Sequence, residues 1–146
     1  MLIRSISGVR GLVKTHLKPE DSVVYARAMH KYLSDGVIVV GRDSRPSGDL
    51  ILESMCEQLV QLGRTVIHCG IVPTPTVQFM VHSTEAVGGF IVTASHNPIE
   101  WNGLKFVRED STFFHPEDCR NLFEIVDTDP LIKPAQEPGI IWQEKN

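Results

Sequence analysis

Cysteine is scarce in this sequence. Only Cys56, Cys69 and Cys119 occur, an odd number with no CxxC spacing, so neither a disulfide framework nor a zinc site is suggested. Long apolar runs are missing as well. None approaches the ~20 residues needed to cross a bilayer, and no charged-then-apolar signal segment opens the chain. A surplus of positive charge is also absent: 14 basic residues stand against 18 acidic ones, a net charge of -4. A nucleic-acid backbone rewards clustered Lys and Arg, so general nucleic-acid binding is not expected. The chain has no internal repeat and no low-complexity tract. A cytoplasmic setting without nucleic-acid or membrane partners is the default expectation. What remains is 146 residues, 42% hydrophobic, which suits one domain with a real core and excludes disorder.

Two periodicities alternate along the chain. Apolar runs rich in β-branched residues predict strands at Leu2–Ile6, Val37–Val40, Thr65–Ile71 and Gly89–Thr93. A first helix is expected from Pro19 to Leu33, with Val23, Val24, Ala28 and Tyr32 on its core face. Pro19 suits the first turn, and Glu20 and Asp21 suit the positive end of the dipole. A second helix starts near Ser47 or Asp49, carries Leu50, Ile51, Met55, Leu59 and Val60 inward, and ends at Gly63. A third covers Val77 to Val81 from about Pro75. A fourth follows His115-Pro116-Glu117-Asp118 and carries Leu122, Phe123 and Val126. This alternation predicts a three-layer α/β/α sandwich over residues 1–128, around a mostly parallel (mixed) sheet of four to five strands. The segment 129–146, with Ile140-Ile141-Trp142, reads as a linker or edge strand.

Ligands in such sheets collect at the carboxyl ends of strands, where the unusual loop sequences fall. Ser7-Gly8-Val9-Arg10-Gly11 follows the first strand. Gly8 and Gly11 allow a tight turn with exposed N–H groups, and Arg10 offers a bidentate fork for phosphate; a plain turn with a surface arginine is the competing reading. No Lys-Ser or Lys-Thr follows, so it is not a P-loop. Gly41-Arg42-Asp43-Ser44-Arg45-Pro46 sets two arginines beside a helix start, a corner that suits an anion. Asp43 pairing with Arg42 or Arg45 to hold the turn is favoured for at least one of them. Pro73-Thr74-Pro75-Thr76 follows the third strand and reads as a stiff capping loop.

The fourth strand runs into Thr93-Ala94-Ser95-His96-Asn97-Pro98, then Trp101-Asn102-Gly103-Leu104-Lys105. This delivers a hydroxyl, an imidazole and an amide to one strand end. A serine hydroxyl needs an activating base or metal, or must carry a transferable group. His96, adjacent in sequence, suits a substrate proton better than that of Ser95, and Lys105 could neutralise phosphate or act as a base. A capped turn remains the competing reading. A serine hydrolase is excluded, because no Gly-x-Ser-x-Gly elbow surrounds Ser95.

Taken in order, Ser-Gly-Val-Arg-Gly, Gly-Arg-Asp-Ser-Arg, the Thr-Pro-Thr loop, Thr-Ala-Ser-His-Asn-Pro and Asn-Gly-Leu-Lys resemble the N-terminal domain of the α-D-phosphohexomutases, the phosphoglucomutase/phosphomannomutase superfamily. The likeness covers almost the whole chain. It implies a phosphoserine at Ser95 that donates its phosphoryl group to a sugar monophosphate and regains one from the bisphosphorylated intermediate. It further implies that Ser95 ligates Mg²⁺ through its phosphate and that His96 and Lys105 move protons. Arg10 would hold phosphate, with Gly8, Gly11 and Arg42 around it, while Asn97 and Asn102 shape the loop. Hexose 1,6-bisphosphate would be the activating intermediate. Partners implied are a phosphosugar and the further domains of the same enzyme.

Those further domains bring what this sequence lacks. The family's Asp-Gly-Asp-Gly-Asp-Arg metal loop does not occur, and Asp127-Thr128-Asp129-Pro130 reads as a solvated turn. One serine cannot supply the oxygen ligands Mg²⁺ wants, so no metal site is assigned within the chain and isolated activity is not expected. The alternative is a stand-alone module that binds anions or a protein without turnover.

Overall fold

A computed structural model describes residues 2–5, 8–94, 97–128 and 134–143. One seven-stranded sheet runs through the molecule in the order β1-β2-β6-β5-β3-β4-β7. Its strands are β1 (Ile3–Ser5), β2 (Gly8–Leu12), β3 (Ile38–Arg42), β4 (Val66–Ile71), β5 (Gly88–Val92), β6 (Trp101–Arg108) and β7 (Ile141–Gln143). Strands β5, β3, β4 and β7 pair in parallel, whereas β1 with β2, β2 with β6 and β6 with β5 pair antiparallel. Strands β1 and β6 therefore run against the other five. The mixed α/β architecture agrees with expectation; the sheet is larger than the four to five strands expected.

Helices α1 (Pro19–Tyr32), α2 (Ser47–Gln61) and α4 (Pro116–Thr128) cover one face. Their apolar sides meet Val9, Ile38, Val40, Phe90, Leu104 and Phe106 in the larger core. Helix α3 (Thr74–Ser83) covers the other face, with Val77 and Val81 against Val39, Ile91 and Val107. Gly63, at φ +91°, follows α2 as expected. Two helix faces differ in part from the expected ones. In α1 Ala28 is buried as expected and Val24 and Tyr32 pack half-buried against the core, but Ser22, Tyr25, Ala26 and Met29 lie deepest and Val23 does not join them. In α2, Leu50 is exposed while Leu52 and Cys56 are buried. Each helix packs against a neighbouring helix as well as the sheet, which widens and turns its apolar stripe.

Two segments expected as loops are strands. The Gly8-Val9-Arg10-Gly11 stretch is not a glycine turn but most of β2, pairing with β6 through Val9–Leu104, Arg10–Gly103 and Gly11–Asn102. The stretch from Trp101 to Lys105 opens β6, which lies inside the sheet between β2 and β5. Asn102, Leu104 and Phe106 are buried on one side, and Gly103, Lys105 and Val107 alternate with them. Asp127 is also not part of a solvated turn: it lies in α4 and pairs with Arg4 at 2.8 Å. Asp129 and Pro130 lie outside the described residues.

The three cysteines are free and buried. Burial, reinforced by Glu53 and Glu57, pushes the Cys56 thiol up to about 12, which leaves it protonated and unreactive at neutral pH. Arg64 is buried too, at 4% exposure, and its guanidinium ties down the end of α1. It donates to the carbonyls of His30, Leu33, Ser34 and Gly36 and to His30 Nδ1, at 2.6–3.1 Å. Burial, with the Arg64 charge beside it, holds His30 below its ordinary imidazole value.

Candidate functional site

The carboxyl ends of β3 and β5 lie side by side, with Arg42 opposite Val92. The chain leaving β5 must turn back into β6, and the residues from Thr93 to Glu100 make that turn. Ser95 and His96 lie outside the described residues. Ala94 is buried and its carbonyl accepts from the Asn97 N–H at 3.1 Å, while Trp101 N–H bonds the Pro98 carbonyl at 2.9 Å. Thr93 N–H bonds the Gly103 carbonyl at 2.9 Å.

Arg10 enters from β2, far away in sequence. Its Nη1 donates to Asn97 Oδ1 at 3.1 Å across 87 residues. It pairs with Gly103, two residues from Lys105 along β6, so Arg10 and Lys105 share one face of the sheet. The absence of a side chain at Gly103 makes this possible. A Cβ there would lie 2.8 Å from Arg10 Cγ and 2.4 Å from the Val9 carbonyl. Lys105 is half-buried, with Nζ 5.6 Å from the centre of the Phe113 ring. Gly8, at φ +114°, and Gly11 lie in β2 beside Arg10.

The Gly-Arg-Asp-Ser-Arg loop holds itself and its neighbour together. Arg42 Nη1 donates to the carbonyls of Asp43 and Arg45 at 3.2 and 3.3 Å, and its Nη2 lies 3.9 Å from Asp49. Arg42 is thus occupied with its own turn. Asp43 pairs with Arg45 at 3.3 Å, the turn-fixing alternative expected for one arginine. Arg45 also reaches across to the carbonyls of Asn97, Pro98 and Trp101 at 2.6, 2.6 and 3.1 Å. Asn102, fully buried, donates from Nδ2 to Ser47 Oγ and accepts the Gly103 N–H on Oδ1, both at 2.9 Å. It joins β6 to the start of α2. A hollow of about 440 Å³ opens between the loops, lined by Asp43, Ser44, Arg45, Pro46, Asn97 and Ile99.

Chemically this is a cationic corner beside a hydroxyl-bearing loop. Thr93 is not among the expected site residues. Arg45 is expected only as part of an anion corner or as the partner of Asp43 in a local turn, and neither reading implies a reach of 52 residues. Among the described residues no three His, Cys, Asp or Glu side chains gather to hold a metal ion. The side chains described here therefore do not by themselves fit a Mg²⁺ site, as the oxygen-rich preference of that ion requires several donors.

Residues 2–132 match the family described as phosphoglucomutase/phosphomannomutase, alpha/beta/alpha domain I. The chain belongs to that family. Within it, the chain is 39% identical over 123 residues to a probable phosphoglucosamine mutase of Methanopyrus kandleri, covering 84% of this chain and 27% of the relative. It is 37% identical over 119 residues to a phosphoglucosamine mutase of Methanococcus aeolicus, covering 82% of this chain and 25% of that one. A crystal structure of a phosphoglucomutase/phosphomannomutase family protein from Burkholderia thailandensis superposes with a TM-score of 0.78 at 26% identity. It covers 98% of this chain and 33% of that protein. The chain thus spans about a third or less of the length of these relatives. No helix among the described residues is long and apolar enough to cross a membrane.

Proposed function

We propose that this chain is the phosphoserine-bearing domain of a phosphohexomutase that interconverts hexose or hexosamine 1-phosphate and 6-phosphate. The observation that carries the reading is the Arg10–Asn97 contact. A cation from the second strand is brought to the loop of Ser95, in a chain whose residues 2–132 match domain I. Phosphoryl transfer asks mainly for positioning and charge neutralisation, and this corner is built for both. The Ser95 Oγ–P bond breaks as a bond forms from phosphorus to a sugar hydroxyl oxygen, and that hydroxyl's proton leaves to a base, for which His96 and Lys105 are the candidates. The returning phosphate leaves the isomeric monophosphate behind. Mg²⁺, bound in part through the Ser95 phosphate, would need carboxylates that this chain does not supply. Turnover by the 146 residues alone is therefore expected to be negligible.

The test is intact mass with peptide mapping, on protein as purified and after incubation with hexose 1,6-bisphosphate and Mg²⁺. One phosphate on Ser95, absent from Ser95→Ala, is expected. Phosphate only at other residues, or none at all, would sink the carrier role. Strong Mg²⁺-dependent mutase turnover by the isolated chain would overturn its dependence on further domains.

A second prediction concerns Arg10. Arg10→Ala is expected to weaken inorganic phosphate binding roughly tenfold, the worth of about one charged hydrogen bond. Arg27→Ala should leave it unchanged, because Arg27 lies in α1 and donates to Gln58 of α2 at 3.0 Å. Phosphate titrations followed by NMR compare the two, and equal effects would remove Arg10 from the site.

A further inference from the structure

We propose that Arg45, held by Asp43, is the positioning residue of the Ser95 loop and fixes both of its ends before any substrate arrives. The phosphate-carrying role of that loop rests on the function proposed above; the clamp itself rests on geometry. Thr93 precedes Ser95 by two residues, and its hydroxyl donates to Asp43 Oδ2 at 2.8 Å. Asn97 follows Ser95 by two residues, and its carbonyl accepts from Arg45 Nη2 at 2.6 Å. Arg45 Nη1 takes the carbonyls of Pro98 and Trp101 further along. The same Asp43 carboxylate accepts the Arg45 backbone N–H at 3.0 Å and its Nε at 3.3 Å. One ion pair therefore grips the loop on each side of residues 95 and 96.

The chemistry of the pair suits this task. A guanidinium presents five donors in a fixed plane, so one side chain can satisfy three carbonyls around a turn and still bond Asp43 through Nε, one bond more than the three donors of an ammonium allow. Arg45 has only 13% of its side chain exposed, against 28% for Asp43, so water competes weakly for its part-buried bonds to Asn97 and Trp101. Two of the carbonyls it takes, those of Asn97 and Pro98, lie in the turn ahead of β6, and the third belongs to Trp101, the first residue of that strand. A nucleophile or phosphate carrier gains rate from being held in place rather than found by search. On this view the second arginine of the Gly-Arg-Asp-Ser-Arg sequence serves the loop, not the anion.

The experiment is amide hydrogen exchange on this chain, comparing native protein with Arg45→Met and Arg45→Lys. The Asn97 and Trp101 amides, bonded to the Ala94 and Pro98 carbonyls, report the loop; amides of β3 and β5 report the domain. Both variants are expected to exchange at least about tenfold faster at Asn97 and Trp101, with β3 and β5 unchanged. Phosphate uptake at Ser95 should fall by at least about tenfold in Arg45→Met. Unchanged exchange at Asn97 and Trp101, full restoration by lysine, or acceleration only in step with β3 and β5 would overturn the clamp. If the native chain takes no phosphate while loop exchange still follows Arg45, the proposed function fails and the clamp stands.

Discussion

Arg64→Ala is expected to lower the stability of this domain by about 3 kcal/mol, with a fall in thermal midpoint of roughly 10 °C. The last carbonyls of a helix have no partner within it, and at the end of α1 they converge on the buried side chain of Arg64. Arg64 answers them from the far end of α2, through the carbonyls of His30, Leu33, Ser34 and Gly36. Truncation removes five hydrogen bonds at once and leaves part-buried acceptors that water reaches only incompletely. Burial already holds the Arg64 guanidinium below its ordinary value, so the site tolerates this charge only because it is fully bonded. Arg64→Lys should recover little, since a single ammonium cannot span four carbonyls. Thermal and urea unfolding measure the loss. A midpoint within roughly 2 °C of the native protein would show that water or a shifted turn replaces Arg64 at little cost.

Gly103→Ala should be comparably damaging, at about 3 kcal/mol, and should also loosen the site. The added carbon would sit 2.4 Å from the Val9 carbonyl, 2.8 Å from the Thr93 carbonyl and 2.8 Å from Arg10 Cγ. Two of these neighbours are backbone, so rotamer changes cannot relieve the clash. Strand β2 must move away from β6, or the Thr93 end of the loop must shift. Either movement disturbs the Arg10–Asn97 contact. Urea unfolding and phosphate titration on the same sample give the two readouts. Native stability together with native phosphate affinity would refute the role of Gly103 as the spacer beneath the site.

Most elements were legible because their signals are local. Pro19 with Glu20 and Asp21 marks the start of α1, Gly63 follows α2, and β-branched runs mark β3, β4 and β5. Strand β6 was hidden by Asn102-Gly103, a pair that favours turns. Its period-two alternation becomes meaningful only once β2 and β5 are seen on either side. The same blind spot made Gly8 to Gly11 look like a loop. In both cases glycine marks close approach of a neighbouring strand rather than a turn. Arg10, Asn97 and Lys105 could be singled out by residue type and motif. That Arg42 would serve its own turn while Arg45 reaches the Ser95 loop could not.

The sequence alone determined the α/β class, the order of the helices and the motifs that resemble a phosphohexomutase first domain. Those follow from short-range periodicity and from side-chain chemistry written in order along the chain. The tertiary structure decided which side chains meet. Strand order brings β2 beside β6 and the loop after β5 beside the loop after β3, placing Arg10 against Asn97 and Arg45 against Asn97, Pro98 and Trp101. Contacts across 50 to 90 residues depend on pairing and register, and no local pattern encodes them.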